Sequence, residues 1–246
     1  HHKTPVASVT FGCDAQTLVS GAGDGMIHIW DLGGRSAPRS IQAFAKSKAV
    51  SCLCVSREGH LVAASGLTFQ GVFDYLLVGN VPGNRHDQIG VWDLSTGTRR
   101  EFWEAHQGPI AAITVTQDGA KVVTVSHDGS VGIWDITSGR MLGLFRGHSR
   151  GVTSLALEAD DARAVSGSLD GTLRVWQLSQ AGTGAGRVAH NDRVVGLGVF
   201  SDDHTAVSAS RDGTIKLWNL ATGKETACLT GDNQQISSIA MVPGQA

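Results

Sequence analysis

The chain has 246 residues, of which 41% are hydrophobic and 17% charged, so it can build a packed core and is not of the intrinsically disordered class. Its formal net charge of −2 excludes the dense basic surface of a nonspecific nucleic-acid-binding protein, and we expect no nucleic-acid partner. The 32 glycines against only 5 prolines indicate many turns.

No apolar run approaches the roughly 18 residues of a membrane-spanning helix, and the N-terminus does not resemble a signal peptide. We therefore expect a cytoplasmic protein without membrane insertion. The chain begins with His1-His2 rather than with Met, so we expect a piece of a longer protein, in which these two histidines are either native or the remnant of a tag.

Four cysteines form no C-x-x-C pair and no dense disulfide pattern: Cys13, Cys52, Cys54 and Cys228. Cys52 and Cys54 share one face of a predicted strand, because alternate residues of a strand point the same way. We predict that all four are reduced, small core residues rather than metal or redox ligands.

The first predicted elements run from His2 to Trp30. Apolar residues at Val6, Val9 and Phe11 predict an early strand, the run LVSG predicts a middle strand, and Ile27 and Ile29 alternate in a third strand that ends on Trp30. Between the last two strands lies Asp24-Gly25. Because Asp-Gly supplies two residues that tolerate positive φ, we predict a type I′ hairpin turn there.

The second group of elements breaks the regular spacing. Val50, Leu53 and Val55 repeat the early strand, with Lys46 in the place of the histidine, but Trp92 follows Trp30 by 62 residues. The excess falls on residues 67–86, LTFQGVFDYLLVGNVPGNRH, between the middle strand and the tryptophan strand.

Three further copies follow at a constant period of 42 residues, ending on Trp134, Trp176 and Trp218. Each has an Asp-Gly dipeptide before the tryptophan and a histidine 28 residues before it. A sixth copy starts at Ile236, Ile239 and Met241, with Asp232 in the place of the histidine. The repeats are approximately residues 1–44, 45–104 with the insertion 67–86, 105–146, 147–188, 189–230 and 231–246.

The segment GHSRGVTSLALEADDARAVSGSLDGTLRVW and its sister copies resemble WD repeats, the units of β-propellers. The resemblance covers essentially the whole chain and departs from the pattern at Gln177 and Asn219, where the family places aspartate. It implies an all-β β-propeller of four-stranded antiparallel blades. The chain holds five blades and the first strand of a sixth, and we expect it to be part of a seven-bladed propeller whose remaining blades, or a capping domain, lie outside it.

Each complete copy repeats four polar or aromatic residues: His2, Ser20, Asp24, Trp30; His106, Thr124, Asp128, Trp134; His148, Ser166, Asp170, Trp176; and His190, Ser208, Asp212, Trp218. A hydrolase needs one nucleophile in one cleft rather than four equivalent sets. The resemblance implies that each set is a buried structural chain of hydrogen bonds, and we expect no catalytic residue.

Other features that suggest a ligand are weaker. The glycine-rich stretches 21–25 and 182–186 precede no helix, so they predict no phosphate site. His28, His60, His127 and His204 have no close ligand partner in the sequence. We therefore expect neither cofactor nor metal.

A binding function is most easily placed where the repetition is broken. The insertion 67–86 is predicted to project over the face that carries the repeat histidines, where its apolar residues either anchor a partner or pack locally. The candidate partner-binding residues of this face are Phe69, Phe73, Tyr75, Arg85, His127, Arg150, Leu169, Arg193 and Arg211. The arginines favour acidic or phosphorylated protein segments, although simple solvent exposure would explain each one singly.

The resemblance implies a noncatalytic scaffold for protein–protein interaction inside a larger intracellular protein or complex, alongside further domains of the same polypeptide. The alternative is a regulatory or ligand-sensing propeller attached to an enzymatic domain elsewhere, such as a nucleotide-switched ATPase or a ubiquitin ligase subunit. Catalysis by the propeller itself is disfavoured, because no acid, base or metal cluster departs from the repeat.

Overall fold

The computed structural model describes residues 2–45, 48–66, 87–179, 185–200, 202, 204–231 and 235–240. The strands of these residues, in chain order, are β1 Val6–Phe11, β2 Thr17–Ala22, β3 Met26–Asp31, β4 Arg39–Gln42, β5 Ala49–Val55, β6 His60–Gly66, β7 Asp87–Asp93, β8 Arg99–His106, β9 Ile110–Val115, β10 Lys121–Ser126, β11 Ser130–Asp135, β12 Met141–Arg146, β13 Val152–Leu157, β14 Arg163–Ser168, β15 Thr172–Gln177, β16 Ala185–Val188, β17 Val194–Val199, β18 Thr205–Ser210, β19 Thr214–Asn219 and β20 Lys224–Thr230.

These strands form five four-stranded sheets, each built from four consecutive strands in sequential order. The first sheet holds β1–β4, the second β5–β8, the third β9–β12, the fourth β13–β16 and the fifth β17–β20. In the first, second, fourth and fifth sheets every neighbouring pair is antiparallel. The prediction of five four-stranded blades is confirmed, whereas a total of seven blades stays a prediction.

The core clusters lie between the faces of successive sheets: two of them join the first, second and third sheets, and one joins the fourth and fifth. We call the side of a sheet that carries its repeat tryptophan the tryptophan face, and the other side the opposite face. Val19, Ile27 and Ile29 on the opposite face of the first sheet cluster with the tryptophan face of the second, including Leu53 and Trp92. The alternation of apolar residues along the strands therefore places one apolar set on each side of a sheet.

The hairpin turn between the middle strand and the tryptophan strand differs from its prediction. Three residues, rather than two, separate β14 from β15, and Gly171 N donates to Ser168 O over 3.2 Å. Gly171 has φ +76°, whereas Asp170 is not among the residues with positive φ. Such a loop is a type I turn followed by a left-handed glycine, so the predicted type I′ turn is wrong.

The aspartate of this turn has a different role from the predicted one. Asp170 Oδ1 accepts hydrogen bonds from Thr172 N at 2.9 Å and from Thr172 Oγ1 at 2.6 Å, and Asp212 does the same for Thr214. A carboxylate that accepts a hydrogen bond from the backbone N–H two residues later stabilises the turn. Aspartate therefore recurs in the turn because of this hydrogen bond, and glycine recurs because of its positive φ.

The prediction for the cysteines holds in part. All four are free, and Cys52 and Cys54 lie in a core cluster, where burial raises the pKa of the Cys52 thiol to about 12. Cys13 and Cys228 are exposed, so their assignment to the core is wrong. Cys13 follows β1 in a surface turn, and Cys228 lies on the outermost strand of the fifth sheet.

The residues after β20 begin another copy of the repeat. Ile239 lies directly against Gly196 of β17. Gly196 is the equivalent of Ser8 in the first copy, and Ser8 contacts Leu53 in the same way, since its hydroxyl accepts a hydrogen bond from Leu53 N at 3.1 Å. Residues 235–240 occupy this place without a strand assignment.

The contacts divide the chain into two compact units. The first unit comprises His1–Val123 and Trp134–Arg140, and the second comprises Thr124–Ile133 and Met141–Ala246. Within the described ranges, no helix is long and apolar enough to cross a membrane.

Candidate functional site

The repeated residues of the fourth sheet form a continuous chain of hydrogen bonds. Trp176 Nε1 donates to Ser166 Oγ at 2.8 Å, and Ser166 Oγ lies 2.7 Å from His148 Nε2. Because the serine oxygen accepts the indole proton, its own proton is free to go to Nε2, which assigns the imidazole proton to Nδ1. His148 Nδ1 then faces Thr172 Oγ1 at 2.9 Å and Asp170 Oδ2 at 3.4 Å.

The fifth sheet repeats this chain, and the first sheet has a looser form of it. His190 Nε2 lies 2.7 Å from Ser208 Oγ and its Nδ1 lies 3.2 Å from Asp212 Oδ2. In the first sheet the Ser20 hydroxyl meets both its histidine and its tryptophan at 2.8 Å, but His2 Nδ1 is 3.9 Å from Asp24 Oδ1.

Threonine joins these chains in addition to the residues singled out from the sequence. Thr172 and Thr214 each bond both the histidine Nδ1 and the turn aspartate of their sheets. Their signal in the sequence is a hydroxyl directly after Asp-Gly, which recurs as Ser130 in the third copy.

Burial fixes the charge states of the chain in the fourth sheet. Burial lowers the pKa of His148 more than the nearby Asp170 raises it, so the imidazole is neutral at pH 7. Burial acts to raise the pKa of Asp170, but hydrogen bonds from Thr172 and from the backbone of Ser149 outweigh it and bring the pKa down to about 2. The Ser166 side chain is fully buried and bonded on both sides, so it is not available to a substrate as a nucleophile.

The residues of the third copy fall in both compact units, and each part is buried. In the first unit the His106 and Trp134 rings lie edge to face with centroids 5.9 Å apart. In the second unit Thr124 is fully buried, and Asp128 Oδ1 accepts a hydrogen bond from Ser130 N at 2.9 Å.

Phe44, rather than Lys46, stands in the place of the histidine in the second copy. Ala43 N and Phe44 N both donate to Gly25 O, as Ala189 N and His190 N both donate to Gly171 O. The Phe44 and Trp92 rings meet at 6.0 Å. The prediction that Lys46 takes the place of the histidine assumed that the spacing to the early strand is the same as in the other copies. Lys46 itself lies outside the described residues. The dipeptide Ala43-Phe44 is the signal that was missed, because Gly or Ala precedes the histidine in the later copies.

The other residues around Trp92 in the second copy are apolar, as Phe44 is. Ala63 occupies the place of Ser166, since it lies two residues after the partner of the tryptophan in the neighbouring strand. The Trp92 ring folds over Gly90, where a side chain would collide with it. Phenylalanine, alanine and tryptophan thus replace histidine, serine and tryptophan at this junction.

Asp87 is the first described residue after the insertion. It is 4% exposed, stands where the other copies have the turn glycine, and accepts a hydrogen bond from Ile110 N at 3.0 Å through Oδ2. Burial raises the pKa of Asp87 to about 7, although the Ile110 bond and the charge of Lys48 act to lower it. The sequence gives its place in the repeat, five residues before Trp92, but no sign that an aspartate there is buried.

Four of the candidate partner-binding residues lie in two adjacent pairs of loops in the second unit. Leu169 N donates to Gly151 O beside Arg150, and Arg211 N donates to Arg193 O at 3.1 Å. We call Arg150, Leu169, Arg193 and Arg211 the arginine surface. The loops are held by hydroxyls, since Ser168 Oγ bonds the carbonyl oxygens of residues 150 and 151, and Ser210 Oγ those of residues 192 and 193.

The guanidinium groups of this surface make weak or uncharged contacts. Arg150 is exposed and reaches Leu169 O at 3.4 Å, and Arg211 Nε donates to the amide oxygen of Gln235. Within the part of the chain that the structure describes, no carboxylate lies within ion-pair distance of Arg150, Arg193 or Arg211.

The remaining candidates contribute differently. His127 lies against Gly151, and burial lowers its pKa more than Asp128 raises it, so it adds no positive charge at pH 7. Phe69, Phe73, Tyr75 and Arg85 lie outside the described residues. Among the residues that are described, no group of three metal-binding side chains is assembled.

A comparison with models of protein families gives a match. The family model described as WD domain, G-beta repeat, matches residues 1–31, 97–135, 139–177 and 186–219, which together make up more than half of the chain. The unmatched stretch between the first two regions holds the apolar junction of Phe44 and Trp92 and the insertion. No curated protein matches the chain.

Proposed function

Since the chain belongs to the WD-repeat family, whose repeats generally mediate protein–protein interaction, we propose that it is a noncatalytic platform that binds an acidic or phosphorylated segment of a protein partner on the arginine surface. Members of the family are typically noncatalytic. The repeated histidine, serine and aspartate residues support this proposal, since they bond one another inside the sheets.

The arrangement of Arg193 and Arg211 is the observation that carries the proposal. Their backbones are hydrogen-bonded to each other, so the two arginine side chains are attached at neighbouring points of the fifth sheet. Arg150 is attached to the corresponding loop of the fourth sheet. A guanidinium group forms paired hydrogen bonds with a carboxylate or a phosphate. Because Ser168 and Ser210 hold the loops, these side chains are presented by a fixed backbone.

Fluorescence anisotropy with labelled peptides tests this function. Three versions of one Gly-Ser-rich peptide carry serine, aspartate or phosphoserine at two adjacent positions. We expect the phosphoserine peptide to bind most tightly and the serine peptide not to bind, with affinity falling as salt is raised.

The variant Arg150→Ala/Arg211→Ala should lose at least about tenfold in affinity, which corresponds to about 1.4 kcal/mol. The matched control is Arg187→Ala/Lys224→Ala, which removes two exposed cations of the same unit at the other end of β19, where Arg187 donates to Thr222 O and Lys224 begins β20. Equal affinity of the three peptides, or equal loss in the control, would contradict the proposal. The variant Phe73→Ala/Tyr75→Ala measures how much the insertion contributes to peptide affinity, apart from the arginine surface.

A further inference from the structure

An arginine joins the last strand of the first sheet to the second sheet. Arg39 begins β4, and its terminal nitrogens donate to the backbone oxygens of Leu94 at 2.6 Å and Ser95 at 2.5 Å. Ile41, further along β4, packs on the glycine of the same turn. We call this contact between β4 and the turn after β7 the first seam. In it a single guanidinium group satisfies two carbonyl oxygens, which its planar fork of donors allows.

β8 and the turn after β11 repeat this contact in what we call the second seam. Glu101 of β8 holds the place of Arg39, because each is paired with the residue that precedes the tryptophan of its sheet. Ile136 and Thr137 follow their tryptophan by two and three residues, as the two acceptors of the first seam do. The ring of Trp103 packs on the glycine of this turn. The two seams are therefore built alike, but the second has a carboxylate where the first has a guanidinium group.

A cavity of about 140 Å³ lies in the second seam. Six residues line it: His60, Val91, Arg100, Glu101, Ile136 and Thr137. Its volume is well above the roughly 30 Å³ that one water molecule occupies, so it admits a group of several non-hydrogen atoms. Within the part of the chain that the structure describes, no hydrogen bond reaches the backbone oxygen of Ile136 or Thr137. The cavity thus offers the same two acceptors that Arg39 meets in the first seam.

The charged groups around this cavity favour a cation. Arg100 donates to Asp93 Oδ2 at 2.7 Å, and hydrogen bonds from Ser95 and Arg100 hold the pKa of Asp93 well below its usual range, so these two charges balance. Arg100 also lies 3.0 Å from His60 Nε2, which must accept because a guanidinium group only donates, and His60 is therefore neutral. Among the described residues, Glu101 has neither an ion pair nor a side-chain hydrogen bond, so its charge is left for a ligand.

We propose that the cavity of the second seam binds a guanidinium group, presented by an arginine side chain of a protein partner. The group donates to the backbone oxygens of Ile136 and Thr137 and pairs with the carboxylate of Glu101. A lysine ammonium fits less well, because it is a point charge without the planar fork that reaches two oxygens side by side. The cavity lies in the first unit and the arginine surface in the second, so this site goes beyond the proposed function.

Titration of the ¹⁵N-labelled chain with blocked Gly-Xaa-Gly tripeptides tests the proposal. The reporters are the amide resonances of Thr137 and Ser138, whose N–H groups share peptide bonds with the two acceptor oxygens. We expect the arginine peptide to shift both resonances with a dissociation constant on the order of millimolar. The citrulline peptide, which has the same shape without the charge, should bind at least about tenfold more weakly, and the lysine peptide should also bind more weakly.

Two substitutions in β8 locate the site. Glu101→Gln should weaken the arginine peptide at least about tenfold, whereas Glu104→Gln, at an exposed carboxylate of the same strand, should leave its affinity unchanged. Glu101→Arg should abolish binding, because it brings to the second seam the side chain that fills the first, and Glu104→Arg is the control for the change of charge.

Three results would overturn the proposal. One is the absence of shifts at Thr137 and Ser138, and another is equal affinity for the arginine peptide and either the citrulline or the lysine peptide. The third is an equal loss in Glu104→Gln and Glu101→Gln. Methylguanidinium chloride that binds as tightly as the arginine peptide would assign the site to a small guanidinium compound and exclude the protein partner.

Discussion

The second and fourth sheets connect their tryptophan strands to the preceding loop in two different ways. In the fourth sheet, His148 and Ser166 link Trp176 to the hairpin turn through polar atoms with nearly ideal distances. In the second sheet, Phe44 and Ala63 surround Trp92 with carbon, and Phe102 adds a third ring 5.7 Å from Phe44. The two ring pairs nevertheless have almost the same spacing, 5.9 Å for His148–Trp176 and 6.0 Å for Phe44–Trp92.

In both sheets a flat ring fills the junction at this point, once with a hydrogen bond to the middle strand and once without. A buried polar chain is stable when every member has a partner, and an apolar set of the same shape is stable without any. Mixtures of the two are unstable, because a lone hydroxyl or imidazole is left without a partner.

The largest effect is expected from removing the ring in the second sheet. Phe44→Ala should destabilise the first unit by about 3–5 kcal/mol, because Phe44 is buried against Trp92 and the cavity cannot close fully. Hydrogen exchange of the β5–β7 amides measures the local free energy of opening. Phe11→Ala, at a 61% exposed ring, is the control and should change it by less than about 1 kcal/mol. Equal effects of the two substitutions would show that Phe44 is not part of the core.

The next effect comes from converting the fourth sheet to the pattern of the second. His148→Phe should cost about 2 kcal/mol, because the Ser166 hydroxyl loses its acceptor in a buried position. Ser166→Ala alone should also cost about 2 kcal/mol, because Trp176 Nε1 and His148 Nε2 both lose their partner. Added to His148→Phe it should cost less than that, since only the indole N–H then loses a bond. Urea unfolding followed by exchange of the β13–β15 amides gives the three values. Strict additivity of the two substitutions would contradict the coupling of these residues.

The smallest effect is a pH dependence of opposite sign in the two sheets. The pKa of Asp87 is raised in the folded protein to about 7, so its stabilising contribution is complete below pH 4 and is lost as the pH rises towards 7. The pKa of His148 is lowered, so its contribution to the fourth sheet is complete above pH 6.5 and is lost as the pH falls through the lowered pKa. Asp170, with a pKa of about 2, keeps its contribution above about pH 4 and loses it only as the pH falls towards 2. Between pH 8 and pH 5, exchange should slow in β7 and accelerate in β13–β15, after correction for the intrinsic rate.

A substitution separates Asp87 from the other groups. Asp87→Asn should flatten the pH dependence of β7 and leave that of β13–β15 unchanged, because the amide oxygen still accepts from Ile110 N but does not titrate. A pH dependence of β7 that survives in Asp87→Asn would assign it to another group.

The strands and their faces could be predicted from the sequence, because alternating apolar residues and a fixed period of 42 residues determine which side chains share a face. The place of Phe44 was missed, since the loop after it is longer than in the later copies and an unchanged spacing points to Lys46 instead. The turn type was mistaken because the dipeptide Asp-Gly fits loops of two and of three residues. The exposure of Cys228 was missed because periodicity gives the direction of a side chain but not whether another element covers it.

The joints after the first and fourth sheets are made of main chain at the turn glycine. A side chain at Gly25 would stand 2.7 Å from Phe44 O, and one at Gly171 would stand 2.6 Å from His190 O. Because the contact involves backbone atoms on both sides, it does not depend on the side chain that follows the turn, and phenylalanine and histidine both occupy that position. At the joint after the second sheet, Asp87 replaces the glycine, its main chain is paired with His106, and its carboxylate adds a hydrogen bond from Ile110 N.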